Sequence, residues 1–193
     1  MSRNRCGLFT LCLLAGMAIA ARDGEAGEPN PAIAIRVEIP KALNGVNLPR
    51  AQQLATKIYE KAGVTLDWTG RPTTPNRTLT VVLTTTATAP PGLVPESMGV
   101  APSPGDGSRG TTAYVFMDRV MSFVDTYRVV AEYVLACALA HEIGHLLLPP
   151  NAHVPNGIMR GNWHPALFPP KAPGVIGFPP EQARLLRLRV QSR

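Results

Sequence analysis

The chain has 193 residues, 45% hydrophobic and 17% charged, which suits one domain with a proper core and excludes wholesale disorder. Its net charge of +6 comes without a long basic run or interleaved aromatics, which argues against nucleic acid as a partner. Twenty prolines and seventeen glycines point to long, stiff connections around a modest set of regular elements.

Residues 1–21 read as an export signal. Arg3 and Arg5 give a basic start, Leu8 to Ile19 an apolar stretch too short for a comfortable span, and Ala18-Ile19-Ala20 a small-x-small cleavage site. A secreted or periplasmic protein with no stable membrane span after cleavage is the expectation. Residues 22–31 read as a short linker and 32–193 as the working domain. Cys6 and Cys12 fall inside the leader, so Cys137 stands alone and no internal disulfide is expected.

Ala32 to Ile39 alternates and is rich in β-branched residues, predicting a first strand closed by Pro40. Asn47 to Ala62 predicts a helix, with Asn47 as cap, Pro49 in the first turn and Gly63 as stop. Val64 to Trp68 reads as a short strand, and Thr78 to Thr85 carries the clearest strand signal. Residues 86–112 hold five prolines and five glycines with little periodicity, the mark of a binding loop or a mobile one. Tyr114 to Val120 predicts another strand and Asp125 to Leu148 one long helix, apolar nearly all round and hence central. Pro149 and Pro150 must end it. Asn151 to Pro179 shows little regular structure, and Pro180 to Val190 predicts a last helix with arginines outward. The order implies an α+β (α/β layered) domain with a small mixed sheet.

The histidines carry the chemistry. All four (His141, His145, His153 and His164) fall within 24 residues. His141 and His145 lie four apart with Glu142 between them on the predicted central helix. That spacing stacks two imidazoles on one face, suited to one Zn²⁺ with Glu142 beside it as general base. Burying two histidines and a carboxylate is costly unless a metal compensates. A catalytic zinc wants three protein ligands. His153 is the preferred third, because the Pro-Pro-Asn-Ala turn can fold the chain back; His164 and Glu181 compete. Such a site would hydrolyse an amide without a covalent intermediate, Glu142 moving a proton from water to the leaving amine. Cys137, one turn before His141, reads as a small buried hydrophobe.

The segment HEIGHLLLPPNAHVPNGIM resembles the metzincin clan of zinc metalloproteases, and in particular matrixin-like secreted bacterial proteins of largely unassigned substrate. The resemblance implies a small mixed sheet, a central active-site helix, a Met-turn and a C-terminal helix. His141, His145 and His153 would be the zinc ligands, Glu142 the catalytic base and Met159 the Met-turn methionine. A peptide or protein substrate would pair with the sheet's edge strand, for which residues 113–116 are the expectation, and Trp163 and Phe168 would either wall a specificity pocket or pack beneath the Met-turn. Two positions depart from the clan. Leu148 stands where a glycine is usual, and His153 lies eight residues beyond His145 where six is usual, so the turn should be rebuilt by two extra residues. No tyrosine stands just after Met159, leaving zinc and Glu142 to stabilise the oxyanion. Two other readings share these residues: a zinc-binding domain with a binding or regulatory role, and a zinc amidase acting on a non-protein amide.

Overall fold

The computed structural model describes residues 29–39, 45–71, 78–93, 96–104, 110–168 and 176–193. The leader assigned to 1–21 and most of the linker lie outside them. The described residues form an α+β domain of four helices and one five-stranded mixed sheet. In chain order these are β1 (Ala32–Glu38), α1 (Leu48–Glu60), β2 (Thr65–Asp67), β3 (Thr78–Thr84), β4 (Gly99–Val100), β5 (Thr112–Phe116), α2 (Met117–Tyr127), α3 (Ala131–Leu147) and α4 (Pro180–Gln191). A 3₁₀ turn, Pro165–Leu167, follows α3 after an irregular stretch.

The sheet order is β2-β1-β3-β5-β4, parallel throughout except for β4. Register sets Ile35 opposite Leu79 and Val81 opposite Ala113. Leu79, Val81 and Leu83 are buried while the intervening Thr80 and Val82 are only partly so, the period-two pattern of a strand with one packed face.

Helix α1 begins where Asn47 Oδ1 accepts the Arg50 amide at 3.1 Å, and Gly63 with φ of 74° turns the chain back into β2. Helix α3 is buried on nearly every side from Tyr133 to Leu147, and His145 is its main opening to solvent. It packs on α1 and on β5. The Tyr59 hydroxyl donates to the Ala140 carbonyl at 3.0 Å, a buried tie between α1 and α3 worth about 1 kcal/mol. Leu148 leaves the helix in an extended conformation, as the following proline requires.

Three sequence expectations are corrected. The strand begun near Tyr114 ends at Phe116, because Met117 and Val120 bury themselves at helical spacing as the start of α2. The single helix expected from Asp125 is two, divided where Arg128 takes a left-handed conformation with φ of 55°. Residues 113–116 are not the sheet edge. Strand β5 is paired with β3 on one side and β4 on the other, so the edge is Gly99–Val100, drawn from the stretch read as loop. Among the described residues no helix is long and apolar enough to cross a membrane.

Candidate metal centre

Helix α3 presents His141 and His145 one turn apart, and the chain returns after Pro150 to bring His153 against both. The three Nε2 atoms converge: His145 to His141 is 3.0 Å, His145 to His153 is 3.1 Å and His153 to His141 is 3.3 Å. A tetrahedral zinc with Zn–N bonds of about 2.0–2.1 Å separates its nitrogens by roughly 3.3 Å, so the donor set fits a metal of that kind. With their lone pairs turned inward, the three nitrogens form a donor set that could hold one metal ion.

The supporting contacts explain the convergence. His141 Nδ1–H donates to the Ile158 carbonyl at 2.8 Å, which selects the tautomer leaving Nε2 with its lone pair toward the other rings. Ile158 is itself held by a hydrogen bond that its amide N–H donates to the Gly177 carbonyl at 2.9 Å. Burial holds both His141 and His145 down to about 4, so both rings are neutral at physiological pH.

Between Leu148 and Ala152 the chain turns at Asn151, whose φ of 60° reverses it in the left-handed region that asparagine tolerates. The Ala152 carbonyl then accepts from Gln182 Nε2 at 2.7 Å, and the Val154 amide donates to the Met159 carbonyl at 3.0 Å. Helix α4 thereby clamps the turn that carries His153. Nothing in the sequence pattern singled out Gln182; its only signal was a polar residue on the inward face of an amphipathic helix.

Met159 is wholly buried, with its sulfur against Gly144 of α3. A Cβ added at Gly144 would come 2.5 Å from its sulfur, so the glycine between the two helix histidines admits the methionine. His164 is exposed and accepts the Ala166 amide, and Glu181 pairs with Arg184 at 2.7 Å on the surface. Neither joins the three histidines, the one such metal-compatible group among the described residues. Cys137 is completely buried, and burial pushes its thiol up, so it stays neutral.

Glu142 is buried at 5% exposure, and its Oε2 has no hydrogen-bond partner. Burial raises its pKa to about 8. Its carboxyl lies against Gly99 of the edge strand, where a Cβ would sit 2.6 Å from Cγ and 2.7 Å from both Cδ and Oε1. Gly99 is a second residue that sequence reading passed over, since one glycine in a glycine-rich stretch carries no distinguishing mark.

Two cavities flank the triad. One of ≈ 390 Å³ lies on the Glu142 side, lined by Met98, Gly99, His141, Arg160 and Trp163 among others. The other, ≈ 520 Å³, opens on His145 and His153 and is bounded by Ala101, Pro102 and Pro150. Trp163 stands edge-on to the His141 ring at 5.6 Å between centroids, and Phe168 lies behind it, buried against Tyr133 and Phe123. The two aromatics therefore divide the alternatives: Trp163 walls the cleft and Phe168 belongs to the core.

The fold and site together define a mixed α+β domain carrying a three-histidine group compatible with a metal ion. No protein-family model matches the chain, and no curated protein or solved structure matches it significantly.

Proposed function

We propose that the protein is a zinc-dependent endopeptidase of metzincin-like type, acting in a secreted or periplasmic setting. The observation that carries this reading is the meeting of three histidine Nε2 atoms beside a buried carboxylate with an unpartnered oxygen, in a cleft open on both sides. His141, His145 and His153 would hold the zinc. When bound, Zn²⁺ supplies a Lewis acid that polarises a carbonyl and acidifies water. Glu142 would take the proton of the attacking water and return it to the leaving nitrogen, and a cation beside it favours the carboxylate form that this needs. The buried methionine packed against Gly144, between the helix histidines, and the order of the motif support the clan, and the leader read in residues 1–21 supports export.

An extended peptide would lie along the outer edge of β4. Residues 96–99 line the cavity on the Glu142 side and residues 101–103 the other, so the segment that carries the short strand Gly99–Val100 runs past both sides of the triad, where a substrate strand could pair with it. This replaces the edge first expected at 113–116.

The test is zinc content together with hydrolysis of a peptide library by wild type and Glu142→Ala. One zinc per chain in both proteins, with activity lower by roughly 10²–10⁴-fold in the variant, as removal of a general base gives, is the expected result. A purified protein that binds no zinc refutes the reading. Zinc binding without hydrolysis of any peptide would favour the binding or regulatory role.

A further inference from the structure

The cleft on the Glu142 side holds a charge that this chemistry does not use. Arg160 directly follows Met159, whose side chain is wholly buried and whose carbonyl is bonded to Val154, so the arginine leaves the turn at a fixed place on the cleft wall. It is half-buried. Among the described residues no carboxylate pairs with it, the one ion pair being Arg184 with Glu181 on another face. Two carboxylates share its cleft, Glu96 and Glu142, and neither reaches it. No hydrogen bond engages the guanidinium among the described residues either.

A guanidinium presents a planar fork of donors that matches a carboxylate, and a half-buried one left unmatched is a standing binding capacity for that group. The walls around it strengthen the attraction. Met98, Phe123 and Trp163 are apolar and displace water, lowering the local dielectric around any ion pair formed there. At ≈ 390 Å³ the cavity is in the size range of small-ligand pockets, about 300–1,000 Å³, and so has room for a side chain.

We propose that this cleft is a specificity pocket for an acidic residue, with Arg160 forking onto the carboxylate of an Asp or Glu side chain beside the scissile amide. The position of that amide rests on the hydrolase reading above; the anion site rests on Arg160 alone. Arg160 is therefore a specificity residue and not a catalytic one.

The experiment uses the zinc-loaded full chain and peptide pools that carry Glu, Gln or Lys at one fixed position with the flanks randomised. Wild type should favour the Glu pool over the Gln pool by about 10- to 100-fold in kcat/KM, the range for a hydrogen bond to a charged group. Arg160→Leu should abolish the preference, Arg160→Lys should keep part of it, and Arg160→Glu should turn it toward Lys, with zinc content unchanged throughout. In parallel, immobilised Glu142→Gln protein should retain the Glu pool over the Gln pool, a preference that Arg160→Leu removes. Equal cleavage and equal retention of the pools overturn the proposal. So does an Arg160→Leu variant whose kcat falls equally on every pool, since that would put the guanidinium on the reacting atoms. If wild type cleaves nothing while the Glu142→Gln protein still selects the Glu pool, the hydrolase reading falls and the acidic-ligand pocket stands.

Discussion

Replacing Gly99 with alanine tests the site through Glu142, the side chain nearest to the added methyl. The added methyl would lie 2.6 Å from Glu142 Cγ and 2.7 Å from Cδ and Oε1, where ordinary contact begins at 3.4 Å. Glu142 must therefore withdraw by about 1 Å, and a misplacement of that size costs roughly 100-fold in rate, or about 2.7 kcal/mol of transition-state stabilisation. The fold should lose less, about 1 kcal/mol, because the clash is with a side chain that can rotate and not with backbone. His141, His145 and His153 stay where they are, so zinc should remain at one per chain. The assay compares kcat/KM on the best peptide, zinc stoichiometry and Tm for Gly99→Ala and wild type. A variant within about threefold of wild type would refute the role assigned to Glu142 or its contact with the edge strand. Loss of zinc together with activity would show that the glycine acts through the metal centre instead.

Two further predictions concern stability and the turn. In metal-stripped protein Glu142, raised by burial to about 8 from an ordinary 4.5, keeps its proton in the fold and loses it on unfolding between those values, so its ionisation destabilises the fold as pH rises through that window. Stripped Glu142→Gln should match wild type near pH 4.5 and exceed it at pH 8 by up to about 5 kcal/mol in denaturant titrations; parallel curves at both pH values would refute the burial argument. His141 and His145 work in the other direction: held at about 4 against an ordinary 6.5, their contribution is full above 6.5 and is lost as pH falls toward 4. Gln182→Ala removes the 2.7 Å bond to the Ala152 carbonyl that clamps the His153 turn. It should weaken zinc about tenfold in chelator competition, in line with about 1 kcal/mol for one hydrogen bond, and an unchanged affinity would mean that the turn holds itself.

The sequence by itself determined whatever rests on neighbours along the chain. The pairing of His141 with His145, the placing of Glu142 beside them and the helix end before Pro149 follow from helical periodicity and from the conformation a proline imposes on the residue before it. Strands β1 and β3 were legible because alternation over seven residues is a local pattern. Only the tertiary structure could decide how His153 meets the other two, because its place depends on Asn151 turning left-handed, on Gln182 from a helix 30 residues away and on the Val154–Met159 bond. The same holds for the edge strand. Two residues in a run of prolines and glycines have no periodicity to read, and Gly99 and Val100 are a strand because β5 is there to pair with them. The break at Arg128 left no trace either, since neither glycine nor proline marks it. The motif was local physics; the site is made of contacts between segments far apart in the chain.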